Sequence, residues 1–233
     1  MNVKNEIKRV HFDSLPSTQD FAKGKRMDGE NLVVTATYQT GGKGTKGRGF
    51  SSNKGGVYLS KLTFYEDLSV KHAFKIMIGA AVAVCETLRF YGINPLIKWP
   101  NDIWVNDKKI CGILIENVFS ADKVRSSVVG IGLNVSNELP AELLNIATTM
   151  QLVMDDVPTV EEVTCRLLAE LDKEWTMDDY RAYIGYMGRE VALLLGDERI
   201  PGRLIFVDDE GGLHVEVNGE TRRFTAAEVS IRL

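Results

Sequence analysis

Along the 233 residues, apolar positions recur with a period near two in some stretches and near 3.6 in others, and the changes of period mark out the elements. Lys8 to Phe12 is a short β-like run, broken by Asp13-Ser-Leu-Pro-Ser-Thr-Gln with its proline and small hydroxyl residues. Ser17 or Thr18 then caps a helix through Phe21, Ala22 and Lys25. Leu32 to Tyr38 has the β-branched density of a strand, and Gly56 to Phe64 reads as another. Ser69 to Tyr91 repeats Ala73, Ile76, Met77, Ala80, Val84 and Leu88 on one helical face, with Gly92 as its stop. Leu96 to Glu116 reads as three short strands turning at Pro100-Asn101-Asp102 and at Asn106-Asp107; alternation sets Ile97 and Trp99 on one face and Lys98 on the other. Arg125 to Val135 is an apolar strand ending at Asn134, with Gly130 and Gly132 inside it, where glycine is costly unless something approaches closely or the strand bulges. Pro140 to Leu144 and Val160 to about Tyr186 read as helices covering the sheet. From about Gly188 onward, short strands punctuated by Gly-Asp, Glu-Gly-Gly and Asn-Gly turns suggest a small β-barrel of SH3-like type.

Between the second and third strands lies Gln39 to Phe50, rich in glycine and purely cationic through Lys43, Lys46 and Arg48, with Lys54 just beyond. Glycine backbones come close to a ligand and their N–H groups converge on anionic oxygens, so the stretch reads as an anion-binding loop; the competing reading is a solvated surface loop. Gly42 to Gly47 matches G-x-G-x-x-G, and Glu66 and Asp67 lie near the distance of a ribose-binding acid, but a dinucleotide motif must open a helix and here a strand follows. With 28 Lys and Arg against 32 Asp and Glu, the net charge of −4 argues against a dedicated nucleic-acid binder and makes unopposed positive charge a local feature, concentrated where the glycines are. The three cysteines, Cys85, Cys111 and Cys165, are far apart and form no C-x-x-C pair, which suits reduced core thiols in a cytosolic protein. Met1 to Arg9 is polar and charged, unlike a secretory signal, and the longest apolar helix carries charges, unlike a membrane span.

Four segments in this order resemble a biotin protein ligase, the enzyme that joins biotin to a lysine of a biotin carrier domain. They are Ser17-Thr-Gln with its capped helix, Gln39 to Phe50, Lys98-Trp-Pro-Asn-Asp through Lys109-Ile-Cys-Gly-Ile-Leu-Ile-Glu116, and Gly130 to Val135. The C-terminal stretch ending Glu228-Val-Ser-Ile-Arg-Leu matches as well. The resemblance implies an α+β fold, a mixed sheet covered by helices of the class II synthetase-like biotin/lipoate ligase type, with a catalytic domain at 1–186 and an SH3-like domain at 187–233. It implies a biotin pocket of Ser17, Thr18, Gln19, Gln39, Lys43, Gly44, Thr45, Lys109 and Gly112. Lys46, Arg48, Phe50, Asn101 and Asn134 would face the nucleotide, and Lys98, Asp102 and Lys109 would carry the chemistry. ATP and Mg²⁺, the latter near the phosphates, are implied cofactors, and the carboxyl carrier domain of acetyl-CoA carboxylase is the implied acceptor. Some relatives carry an N-terminal DNA-binding domain and act as repressors; this chain starts almost at the catalytic segments, so no DNA partner is expected, nor a membrane. Monomers and sheet-paired dimers both occur in the family, and a cytoplasmic location is expected.

Bringing a carboxylate to an α-phosphate joins two anions, which requires preorganised positive charge, and the reactive adenylate then needs cover from water. Two departures from the family pattern bear on this. Lys43 and Thr45 stand where arginines are usual, and Phe50 stands where tryptophan is usual. The rival readings are a lipoate or octanoate transferase, to which Cys111 would lend a thioester, and a biotin-binding protein without turnover. The three histidines are scattered and receive no role.

Overall fold

The alternating runs pair into a mixed seven-stranded sheet. Its strands in chain order are β1 (Lys8–Leu15), β2 (Leu32–Gln39), β3 (Gly56–Ser69), β4 (Leu96–Lys98), β5 (Asp102–Val105), β6 (Lys108–Ser120) and β7 (Lys123–Asn134), arranged β1-β2-β3-β7-β6-β5-β4. The computed structural model describes residues 7–195, 198–226 and 230–232. The β1–β2 pair is parallel and the others are antiparallel. Parallel neighbours need a crossover, and α1 (Thr18–Gly24) supplies it, capped by Ser17, whose side chain accepts from the Asp20 N–H.

The two faces of the sheet are covered unequally. One face carries α2 (Phe74–Phe90), α3 (Val160–Leu171) and α4 (Met177–Tyr183), and it holds the main core. Within α2 every residue from Ala80 to Cys85 is buried, because the helix lies between the sheet and its fellow helices and has no free side. Among the described residues α1 is the one α-helix on the other face, and its Ala22 seals a small cluster with Leu32, Val34, Leu62 and Val128. Each Leu or Val of this cluster contributes about 1.5–3 kcal/mol on burial, enough to seat a seven-residue helix that would not form alone. Beyond α1, the middle of this face is left for another use.

The C-terminal segment forms a five-stranded antiparallel sheet from β8 (Glu190–Leu195), β9 (Glu198–Val207), β10 (Leu213–Val217), β11 (Glu220–Phe224) and β12 (Ser230–Arg232), in the order β11-β10-β9-β8-β12. This is the expected SH3-like unit. Its apolar side chains Leu193, Leu204, Val207, Leu213 and Val215 are continuous with the main core. The Asp208–Gly212 turn docks it: the Trp99 indole N–H donates to the Gly211 carbonyl (3.0 Å), and Arg181 donates to the Val207 carbonyl (2.8 Å) and Asp209 (2.6 Å).

Several expectations are corrected. The helix assigned from Ser69 begins at Phe74, because β3 continues to Ser69 and pairs there with Lys123 of β7; a tertiary ladder overrides the local helical pattern. Pro140 to Leu144 holds only a single 3₁₀ turn, Ala141–Leu143. The helix expected from Val160 to Tyr186 is two helices, since Thr176 opens α4 with its own capping box to Asp179. Cys85 and Cys111 are buried as expected, but Cys165 is exposed. Met1 to Glu6, the Gly196–Asp197 turn and, in the closing segment, Ala227 to Val229 and Leu233 lie outside the described residues.

Candidate active site

The register of the sheet builds the floor of a cleft on the thinly covered face. Tyr58, Gly132, Gly112, Asp102 and Lys98 stand in one row across β3, β7, β6, β5 and β4, and Ser60, Gly130 and Leu114 form the next. Three of these eight positions have no side chain, so the sheet backbone itself is bared. Space here is tight. A Cβ on Gly130 would meet Gln19 Oε1 at 2.5 Å, and one on Gly132 would meet the Phe50 ring at 2.5 Å.

The N-terminal end of α1 forms one wall. Ser17, Thr18 and Gln19 are each buried although polar, which is tolerable only because they are bonded. Gln39, at the end of β2, accepts from the Thr18 backbone N–H (2.8 Å) and hydroxyl (3.0 Å) and donates to the Ser52 hydroxyl (2.8 Å). Ser60 donates toward Thr18 Oγ1 (2.9 Å) and Gln19 Oε1 (3.2 Å). Ser17, Thr18, Gln19 and Gln39 therefore stand together on one wall, joined by Ser60 and Ser52.

The glycine-rich loop folds back as a miniature hairpin over the cleft. Lys43 bridges to Gly49, the Gly44 N–H donates to the Arg48 carbonyl (2.7 Å) and the Phe50 N–H to the Gly42 carbonyl (2.9 Å). Thr45–Gly47 forms a 3₁₀ turn at the tip, with Lys46 in the left-handed region at φ 56°. Lys43, Gly44, Thr45 and Phe50 line the cleft, whereas Lys46 and Arg48 do not. Arg48 instead donates to the Thr45 hydroxyl (3.0 Å). Lys43 pairs with Asp20 of α1 (2.7 Å), and that hydrogen bond raises its pKa. Phe50 lies over the Gly112 and Gly132 backbone.

Opposite α1 lies the charged end. The Lys109 ammonium lines the cleft, 6.0 Å from the Phe50 ring centroid and 2.6 Å from Asp102 Oδ1. Asn101, also in the lining, is fixed to β6 by donating to the Ile113 carbonyl (2.7 Å). Lys98 is buried, its ammonium 4.2 Å from the Trp104 ring centroid, a cation–π contact that holds it in the row beside Asp102. Asn134 does not line the cleft. It donates to the Thr148 carbonyl (3.0 Å), and Thr148 in turn donates its N–H to the Lys109 carbonyl (2.9 Å), so Asn134 bears on the site through the backbone of Lys109.

Counting the open solvent at its mouth, the cleft takes in about 470 Å³. Among the described residues no group of three or more His, Cys, Asp or Glu stands ready to hold a metal. Magnesium is commonly held by one or two carboxylates together with substrate phosphates, and Asp102 beside the cleft fits that sparse donor set.

Comparison with known proteins gives the family of the chain. Residues 11–134 match the Biotin/lipoate A/B protein ligase family, and residues 186–232 match the Biotin protein ligase C terminal domain. The chain belongs to the biotin protein ligase family. The ligase is 32% identical to the Bifunctional ligase/repressor BirA of Bacillus subtilis, over 95% of this chain and 73% of that protein. It is 30% identical to the Biotin--[acetyl-CoA-carboxylase] ligase of Mycobacterium tuberculosis, over 89% of this chain and 81% of the relative. The biotin protein ligase of Aquifex aeolicus in complex with biotin and ATP superposes with a TM-score of 0.78 at 27% identity, covering 97% of this chain and 98% of that one.

Within the ligase, Cys111 points to the core side of β6 and is fully buried, and burial pushes its thiol pKa up. A buried thiol of raised pKa is a poor nucleophile, which removes the footing for a thioester mechanism. Among the described residues no helix is long and apolar enough to cross a membrane.

Proposed function

We propose that this ligase activates biotin with ATP to biotinyl-5′-AMP, releasing pyrophosphate, and then transfers biotin to the acceptor lysine of a biotin carboxyl carrier domain. The observation that carries the reading is the bare glycine floor, walled by the Ser17, Thr18, Gln19 and Gln39 hydrogen-bonding set and flanked by two lysines, Lys43 held to α1 through Asp20 and Lys109 at the opposite end. Biotin is apolar apart from a ureido group and a carboxylate. Its bicyclic ring suits a flat floor without side chains, its ureido group suits the amide and hydroxyl wall, and its carboxylate suits the lysines.

In this reading Lys109 and the loop backbone supply the positive charge needed as carboxylate and α-phosphate approach. Asp102 would hold the Mg²⁺ that arrives with ATP, an ion that offsets phosphate charge. Phe50 offers adenine an apolar ring, and Asn101 and Asn134 keep Lys109 and its strand in place. Lys46 and Arg48 at the loop tip are assigned to the nucleotide phosphates, which requires the tip to swing inward from its present contacts. Lys98 and Asp102 are assigned to the second step, Asp102 orienting or deprotonating the acceptor amine. The catalytic part is taken as 1–186 and the SH3-like part as 187–233.

Pyrophosphate release with Mg-ATP tests the reading, measured with biotin, lipoate and octanoate, with and without a biotin carrier domain. Release with biotin alone, followed by a biotinyl mass gain on the carrier, is expected; release with lipoate or octanoate instead of biotin overturns it.

A further inference from the structure

Glu116 closes the motif that starts at Lys109, yet the chemistry above gives it nothing to do. It lies on the site-facing side of β6, beside Val128 of β7 in register. Its Oε2 accepts from Gln19 Nε2 (2.9 Å), its Oε1 from Lys23 Nζ (2.7 Å), and its backbone carbonyl from Arg26 (2.7 Å). Burial alone would raise its pKa, but the hydrogen bonds from Lys23 and Gln19 outweigh that and hold it below the usual value. An ionised carboxylate only accepts hydrogen bonds, and so does the Val128 carbonyl, 3.2 Å from the same Gln19 nitrogen. Both hydrogens of the Gln19 amide are thus committed away from the cleft. Turning the amide over would set its oxygen against two acceptors. Gln19 Oε1 is left at the floor, the atom that a Cβ on Gly130 would strike.

We propose that Glu116 is a positioning residue that sets ligand specificity: by fixing the Gln19 amide it makes the cleft floor a hydrogen-bond acceptor, matched to ligands with N–H donors such as a ureido group. Ser60 donates toward Oε1 at 3.2 Å but shares its single hydrogen with Thr18, so an acyl chain lacking N–H donors leaves the other lone pair of Oε1 desolvated and unmatched, and sites built to bond a polar group discriminate strongly against ligands without it. The inference rests on the biotin reading and adds how biotin is told from a plain or sulfur-containing acyl chain.

The test compares wild type, Glu116→Ala and Glu116→Gln, using biotin and a biotin methylated on both ureido nitrogens as a competitive inhibitor. The Glu116 side chain is 34% exposed, so its removal opens no core cavity, and thermal melting checks the fold of each variant. In Glu116→Ala the KM for biotin rises about tenfold while kcat and the KM for ATP hold. Glu116→Gln, whose oxygen still accepts, stays within about threefold of wild type. The ratio of methylated-biotin Ki to biotin KM, large in wild type, shrinks about tenfold in Glu116→Ala, because the acceptor that the methyl groups obstruct is no longer aimed. An unchanged ratio in a normally melting Glu116→Ala, a loss confined to kcat, or a tenfold loss in Glu116→Gln overturns the proposal. Wild type that turns over no biotin overturns the ligase reading instead.

Discussion

Gly130→Ala probes the floor of the cleft most directly. Alanine is otherwise the better residue in a strand interior, and at an indifferent position the change stabilises by roughly 0.5–1 kcal/mol. At Gly130 the new methyl group would lie 2.5 Å from Gln19 Oε1 and must separate to at least 3.0 Å. Gln19 is 4% exposed and bonded to Glu116, Val128 and Ser60, so it cannot swing into solvent. Its retreat breaks one or two hydrogen bonds at about 1 kcal/mol each, and overpacking of this kind costs about 1–3 kcal/mol. The net is a destabilisation of about 1 kcal/mol, seen as a Tm lower by about 2–4 °C. Biotin loses more than the fold does, because the methyl group also occupies ligand space, and its KM should rise at least about tenfold. Gly132→Ala is the control. Its methyl group meets the Phe50 ring, the far end of a side chain on a partly exposed loop, so Tm should hold while the KM for ATP rises. Differential scanning fluorimetry and steady-state pyrophosphate release read both variants. Unchanged Tm and biotin KM in Gly130→Ala would refute the reasoning.

Asp102→Asn removes the charge that Lys109 meets at 2.6 Å; adenylate formation should then need more Mg²⁺, while biotin transfer from preformed adenylate slows by about 10²–10⁴-fold, and an unchanged transfer rate rules out the second-step role given to Asp102. Thr45→Arg restores a guanidinium on the loop and should slow dissociation of labelled adenylate from the isolated complex; an unaltered dissociation rate counts against the loop as the retaining element. In the barrel, burial would raise the Asp208 pKa, but Arg223, His214 and the Gly212 N–H outweigh it and hold the carboxyl well below the usual range. A carboxyl with a depressed folded-state pKa contributes stability that is full above its unfolded pKa near 4 and is lost as pH falls toward the folded value. Asp208→Asn should therefore lower Tm at pH 7, and the gap should narrow from about pH 4 downward; a gap that stays constant with pH denies the charge its part.

The elements that the pattern made legible are those whose partners are interchangeable. A β-branched run such as Leu32 to Tyr38 needs only some neighbouring strand, and Ser17 caps α1 through its own neighbours, so local chemistry was enough. The glycine loop was legible for a similar reason, since its charge and backbone freedom are composed locally. Where β3 ended was hidden, because the pairing of Ser69 with Lys123 lies 54 residues away in the chain. Ser60 gave no sign either: a serine in a strand is ordinary until register sets it opposite Gly130 and within reach of Thr18. Lys46, Arg48 and Asn134 matched family positions, yet the loop turns the first two outward and Asn134 bonds behind Lys109. The sequence by itself determined which residues were available for the chemistry: the hydroxyl and amide set, the lysines, the acid and the unexplained strand glycines. Only the tertiary structure decided that Gly112, Gly130 and Gly132 share one face, that Asp102 meets Lys109 and that Glu116 aims Gln19. Those relations depend on strand register and on which face α1 leaves bare, which are properties of pairings between distant segments rather than of any one segment.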